Sequence, residues 1–346
     1  MEILPQDIAV LNRYFSIKTL FDLKLDCHED ARQLLQASLT DPAIRHALWS
    51  LRALREDLET SGDNPESLAH QTKSYHYGLH QYGAALGDLA SNISSPSPSG
   101  LKSALLCCQI FIGIEELQKN YAAMVQHIVR GLKIMHEYRA RPSLVATNEF
   151  VPAHEWQLPF VDVFIIKLFL APCKSADAPA TAESSGKRLS ALSMSLHPQP
   201  VASRDLRTIA PDMWSELTRI ASWTLDFLSK VSQADSVEVA LRLLRDKKAL
   251  LDSLESWLIG LELVQTKIGP HGPEPVSVSF WRLFHLILKI VLLGALESSP
   301  DLVSQARTES DQLQNVANTV SDRLRTYRTC RGTVSGQMEP LPTTVR

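Results

Sequence analysis

Ala104–Glu137 reads ALLCCQIFIGIEELQKNYAAMVQHIVRGLKIMHE, and its spacing decides the fold class. Leu105, Leu106, Ile110 and Leu117 stand among small residues in the first part. After a polar break at Lys119–Asn120, apolar side chains recur at Tyr121, Met124, Val125, Ile128, Leu132 and Met135. Steps of three and four are the period of a helix with one buried stripe. Gln126, Arg130, Lys133 and Glu137 fall mostly off that stripe, so this second helix is expected to pack on one side and face water on the other. Spacing alone establishes a helical hairpin.

The helical period continues on either side. Ser91–Gly100 (SNISSPSPSG) reads as a serine-proline loop before the hairpin, and 174–205, rich in Ser, Ala and Pro, reads as a flexible linker or inserted loop. From Thr208 the period returns. Pro211 suits the first turn of a helix carrying Trp214, Leu217, Ile220, Ala221, Phe227, Leu228 and Val231, because its missing N–H would be unsatisfied there. Asp235–Glu238 looks like a capping-box variant. Val237, Leu241, Leu244, Leu251, Leu254, Leu258 and Leu261 then follow in a heptad register with Lys248 at the skipped position. An intramolecular core seam is expected rather than a coiled coil, because three heptads with an interior lysine are few. Ser299–Pro300 opens a last, largely polar helix, about 302–327, with Leu313, Val316, Val320 and Leu324 as its stripe. Leu158–Leu170 is read as helix from its surroundings, and no strand alternation is found.

The expectation is therefore an all-α fold, an irregular multi-helix bundle built from antiparallel hairpins. Residues 1–173 form an N-terminal helical part containing the hairpin at 104–137. Residues 174–205 link it to a C-terminal helical part, 206–329, packed on the first, and 330–346 form a disordered tail. A tetratricopeptide array would repeat about every 34 residues, and the sequences around Leu86 and His154 do not match that of Asn120.

With 45% hydrophobic residues in 346, the chain can bury a large core. A net charge of −3 gives no electrostatic footprint for nucleic acid or an anionic membrane. Five scattered cysteines lack framework spacing and point to free thiols in a reducing compartment. No signal peptide is evident in MEILPQDIAV. Phe280–Leu296 is shorter than the roughly 20 apolar residues a bilayer needs. It also carries Arg282, His285 and Lys289 on one face, so an amphipathic core helix is expected there.

Candidate chemistry is sparse. His76 and His80 have the i, i+4 spacing of paired metal ligands, but Tyr77 stands where a zinc peptidase needs glutamate and no third ligand is spaced for them. Cys107 and Cys108 diverge by about 100° around an apolar helix and read as buried small hydrophobes. Neither a nucleophile elbow nor a phosphate loop occurs, and Ser185-Gly-Lys-Arg188 lacks the upstream glycine and the hydroxyl. The basic run Arg242, Arg245, Lys247 and Lys248 reads as a solvated helix face rather than a nuclear-import signal. Gly113 and Gly131 each cost about 1 kcal/mol inside a helix relative to alanine, which close approach of a neighbouring helix would offset. No catalytic, cofactor-binding or metal-binding residues are assigned, and no enzyme activity is expected.

Function is carried by a resemblance. Glu116-Leu-Gln-Lys-Asn-Tyr121, followed by Ala123 to His127-Ile-Val-Arg-Gly131-Leu-Lys-Ile-Met135, resembles the regulatory (middle homology) domain of fungal zinc-binuclear-cluster transcription factors. There an apolar helix ends in an acidic-Leu-x-Gly-Asn turn before Ala-x-x-His-Leu-x-x-Gly-Leu. Tyr82-Gly-Ala-Ala-Leu86-Gly-Asp-Leu89 is similar to the helix preceding that hairpin, and Pro42 through Leu54 to a still earlier one. The likeness covers about residues 40 to 140. Lys119 replaces the usual glycine and Met124 the usual small residue. The family's DNA reader needs six cysteines converging on two zinc ions; five cysteines and no Cys-x-x-Cys are present here.

The resemblance implies a structural role for His127, tying one helix to a neighbour, and marks Gly131 as the family's hairpin glycine. It also implies a nuclear transcriptional regulator or co-regulator, lacking the zinc-cluster module. Such a protein would work through protein partners, a DNA-binding factor or the transcription machinery, without binding DNA or membrane itself. Control of a metabolic gene cluster and self-association are further expectations. The alternative is a cytosolic helical scaffold or small-molecule-binding protein with no transcriptional role. Target genes, regulatory ligand and oligomeric state are not readable from the sequence.

Overall fold

Two apolar helices organise the molecule, and the remaining helices wrap them. The computed structural model describes residues 28–61, 72–93, 97–145, 149–170, 202–268, 274–298 and 300–334. Ten helices run through these residues. The first six are α1 His28–Ser38, α2 Pro42–Ser61, α3 Lys73–Ile93, α4 Pro98–Leu117, α5 Tyr121–Glu137 and α6 Val161–Leu170. The other four are α7 Ala202–Ser232, α8 Val237–Ile268, α9 Val276–Gly294 and α10 Pro300–Val334. The fold is all-α, as expected, with the hairpin placed at α4 and α5.

α4 is buried from Ser103 to Leu117 on every side, because α2, α3, α5 and α6 all pack against it. The Ser97 hydroxyl accepts from Gly100 N–H at 3.1 Å and Pro98 occupies the first turn. Both features satisfy or remove an orphan N–H. The loop read as 91–100 is correspondingly shorter, since α3 runs to Ile93 and α4 begins at Pro98. α5 buries Tyr121, Met124, Val125, Ile128 and Met135 and exposes Gln126, Arg130, Lys133 and Glu137, the two-faced arrangement its spacing predicts.

α9 is the second central helix, touching α5, α6, α7, α8 and α10. It is the one helix among the described residues long and apolar enough to cross a membrane, with hydropathy 1.8, yet 78% of that window is buried inside the protein. The expected core helix is found, with its polar stripe turned to partners: Arg282 and Lys289 are half-buried and His285 is buried, each engaged, while Ser277 in the first turn is exposed. Arg282 Nε donates to Glu274 at 3.0 Å and its Nη2 to Gln265 at 2.7 Å. Lys289 pairs with Glu309 at 2.5 Å, and His285 Nε2 lies 3.1 Å from the Leu254 carbonyl.

α10 closes the hairpin from the C-terminal side. Ser321 Oγ accepts from Ala122 N–H at 3.1 Å, and Gln314 Nε2 donates to the Ala122 carbonyl at 3.2 Å. One of the first-turn N–H groups of α5, which have no partner within their own helix, is thereby capped by Ser321, almost two hundred positions away. Tyr121 meets Phe280 edge-on, ring centres 4.9 Å apart.

Four sequence readings need correction. Three short strands occur, β1 Ser143–Val145, β2 Phe150–Val151 and β3 Leu296–Ser298, in the order β2-β1-β3; two or three residues are too few to show alternation. α7 begins at Ala202, so Pro211 lies inside it rather than opening it. The buried seam of α8 is Ala240, Leu243, Lys247, Leu250, Leu254, Trp257 and Leu261, whereas Val237, Leu241 and Lys248 of the expected register are exposed. The basic run is not uniformly solvated either, since Lys247 is buried and donates to the carbonyls of Leu293 (3.2 Å) and Ala295 (3.0 Å) at the end of α9. An ammonium there satisfies carbonyls that have no partner in their own helix and sits favourably at the negative end of its dipole. Residues 171–201 and 335–346, which hold most of the expected linker and tail, lie outside the described residues; α10 extends to Val334.

Candidate functional site: the polar knot of the hairpin

The residues that carry the family resemblance meet inside the protein. α4 ends with Asn120 N–H donating to the Glu115 carbonyl at 2.8 Å and Lys119 N–H to that of Glu116 at 2.8 Å. These are the two bonds of a Schellman terminus, which sets the next residue left-handed. Lys119 has φ 57°, a conformation glycine adopts without strain. The glycine usual in the resembled family thus has its physical reason at a position where this chain carries lysine.

The turn delivers Asn120 to a carboxylate. Its Nδ2 donates to Glu115 Oε2 at 2.8 Å, while the Tyr82 hydroxyl on α3 donates to Oε1 at 2.6 Å. Tyr82 Oη also lies 3.1 Å from His127 Nε2 on α5. A phenol has one proton. With that proton committed to the carboxylate, His127 must be the Nε2–H tautomer, donating to the phenol oxygen. Phe111 covers the group, 5.1 Å from the Tyr82 ring and 5.2 Å from that of His127.

Burial sets the electrostatics. It lowers His127 to about 4, helped by the Arg130 charge, so the imidazole is neutral at physiological pH. Burial also raises Glu115, against the opposing effect of the bonds from Tyr82 and Asn120. Tyr82 is pushed up by burial and then by its bond to Glu115. Both Glu115 carboxylate oxygens, the Tyr82 hydroxyl, Asn120 Nδ2 and His127 Nε2 are engaged within the knot. Its role is to lock α3, α4 and α5 in one arrangement. His127 therefore has the helix-tying place the resemblance implies; Glu115, the hub, was not singled out in the sequence.

Gly131 lies one turn beyond His127 on nearly the same face of α5, where α6 crosses. A β-carbon there would sit 3.1 Å from Val161 Cγ1 and 3.6 Å from Cys108 Cβ. The expected close approach is real at Gly131. At Gly113 the nearest atom to such a carbon is Leu51 Cδ1 at 3.8 Å, an ordinary contact.

Beyond the hairpin, a buried, ion-paired arginine bonds across to the C-terminal half of the chain. Arg141 donates to Asp162 in a two-pronged pair, Nε to Oδ2 at 2.9 Å and Nη2 to Oδ1 at 3.0 Å. Its Nη1 reaches the Leu228 carbonyl at 2.8 Å and the Ser232 hydroxyl. Phe160 stacks on the guanidinium at 4.0 Å. The cleft beside this clamp, of about 70 Å³, is lined by Leu132, Met135, Ile290 and Leu296 among others. Pockets that hold drug-sized ligands run from about 300 Å³ upward.

The remaining candidates are placed without being brought together. His76 and His80 are exposed on α3, and no group of three or more potential metal ligands occurs among the described residues. Cys107 and Cys108 are buried, as read. Burial pushes Cys107 far up and Cys108 to about 12, and buried protonated thiols do not fit a thiolate zinc site. The side chains of Cys27, Cys173 and Cys330 lie outside the described ones.

Comparison with known proteins supplies the family. No known family model matches the chain, and no solved structure does. The transcription regulator lscL of Purpureocillium lilacinum is 59% identical to it over 330 residues, 94% of this chain and 79% of that protein. At that identity and coverage the chain belongs to the same family as the transcription regulator lscL.

Proposed function

We propose that the chain is a nuclear transcriptional regulator or co-regulator that acts through protein partners and controls a metabolic gene cluster. The observation that carries this reading is the 59% identity to lscL, named a transcription regulator, along nearly the whole of this chain. Support also comes from the hairpin: Tyr82, Asn120 and His127, which carry the resemblance to zinc-cluster regulatory domains, converge on one buried knot. A net charge of −3 favours protein partners over direct DNA contact, because phosphate neutralisation supplies much of a DNA-binding protein's affinity. The same reading makes the chain a regulator rather than a catalyst.

The test is transcription itself. The chain is fused to an unrelated DNA-binding domain and a reporter bearing that domain's operator is measured. A several-fold change in either direction is expected, with the fusion folded and nuclear. An unchanged reporter would refute the reading, as would a tagged chain that stays in the cytosol. The purified chain alone is expected to show no sequence-selective DNA binding at physiological salt.

A further inference from the structure

α8 carries a second stripe, on the side away from the core. Of eleven exposed large apolar side chains among the described residues, four lie on this one line: Val237 (38% exposed), Leu241 (39%), Ile259 (53%) and Leu263 (56%). Between them, on the same line, stand four exposed charges: Arg245 and Lys248, then Asp252 and Glu255. At about 100° per residue all eight fall within roughly 40° of one direction. None of these four charges makes an ion pair among the described residues.

The stripe is self-complementary. Its spacings run four, four, three, four, three, four, four, the same from either end. Turned end for end about residue 250 and laid against a copy of itself, it sets Leu241 against Ile259 and Val237 against Leu263. The same superposition sets Arg245 against Glu255 and Lys248 against Asp252. Each contact occurs twice, as an isologous two-fold interface requires. A parallel pairing in register would instead stack like charges, which costs affinity. The stripe spans roughly 40 Å of helix at 1.5 Å per residue.

We infer that α8 is the dimerisation surface of this protein, pairing antiparallel with α8 of a second copy. Outer leucine and isoleucine supply the burial; the central charges set direction and register. The pairing stands independently of the transcriptional reading.

Charge reversal tests it on the full chain by sedimentation equilibrium. The native chain is expected to dimerise. The pair Arg245→Glu and Lys248→Glu makes the whole stripe acidic, and the pair Asp252→Lys and Glu255→Lys makes it basic. Each variant alone is expected to dimerise at least tenfold more weakly, while an equimolar mixture regains dimers containing one of each. That recovery cannot come from misfolded chains. A second measurement uses the native sequence: in a mixture of isotopically heavy and light chains, zero-length cross-linking is expected to join Lys248 of one chain to Asp252 of the other. A monomeric native chain would overturn the inference. So would a dimer insensitive to either reversal, a mixture that stays monomeric, a dimer without that cross-link, or a monomer whose α8 stripe binds some other protein.

Discussion

Replacing Gly131 with leucine sets two measurable effects against each other. Leucine in place of a helix glycine gains about 1 kcal/mol of propensity. At Gly131, however, the first added carbon already falls 3.1 Å from Val161 Cγ1, inside the roughly 3.5–4.0 Å optimum for carbon contacts. Three further carbons must then enter a crossing lined by buried Val161 and Cys108. Overpacking of this kind costs about 1–3 kcal/mol, so the net loss for Gly131→Leu is expected at up to about 2 kcal/mol. At about 2–4 °C per kcal/mol for larger domains, thermal unfolding should fall by up to roughly 8 °C. Gly131→Ala adds only the β-carbon, and its two effects nearly cancel. Val161→Ala removes the nearest methyl, so the leucine penalty should shrink in that background, with a coupling of about 0.5 kcal/mol or more. A rise in melting temperature for Gly131→Leu would refute the helix-crossing account, and so would strict additivity with Val161→Ala.

Lys119 and Arg139 both sit left-handed at helix ends, φ 57° and 44°, so Lys119→Gly and Arg139→Gly should each stabilise the chain by up to about 1 kcal/mol; an unchanged or lower denaturation midpoint would count against strain there. Arg141→Leu leaves Asp162 buried without its ion-pair partner and should cost about 3–5 kcal/mol, most of it recovered by adding Asp162→Leu; a mild single variant in urea unfolding would show that the clamp is not buried in solution. His127 and His285 are both lowered to about 4 by burial. Their unfolded forms bind protons first, so the stability they carry is complete above about pH 6.5 and lost as pH falls towards 4. The slope is up to about 1.4 kcal/mol per pH unit for each. Glu115, raised by burial, acts oppositely, losing stability as pH rises above its usual 4.5. His285→Gln should flatten the acid limb of a stability–pH curve, and an unchanged limb would show that His285 is not buried neutral.

The hairpin was legible because its two signals are local. A helical period over Ala104–Glu137 and a polar break are both written within a few turns of chain. The knot was legible in part. Tyr82, Asn120 and His127 stand at positions the family resemblance marks, but Glu115 precedes a second glutamate inside an apolar helix, and nothing local says which carboxylate turns inward. The Arg141–Asp162 clamp left no local trace, since its partners lie on α6 and α7, far along the chain. Lys247 was hidden by its residue type. A lysine reads as solvated, yet its aliphatic stem packs in a seam while its ammonium finds the carbonyls ending α9.

α8 shows why periodicity fails even when every apolar residue has been counted. The helix has two apolar lines. The inner one runs through Ala240, Leu243, Leu250, Leu254, Trp257 and Leu261 and contains Lys247; the outer one holds Val237, Leu241, Ile259 and Leu263 and contains the charges from Arg245 to Glu255. The heptad read from the sequence began on the outer line and finished on the inner one, because a residue such as Leu244 or Leu251 lies between them and fits either. Charge cannot arbitrate, since both lines carry it. Tertiary structure can: α7 and α9 occupy the inner side, and the lysine on that side has carbonyls waiting for it. The four charges on the outer side have no ion-pair partner within the described chain. A helix that spends leucine, isoleucine and valine on water, in an order that matches its own reverse, has the composition of an interface whose other half is another copy of itself.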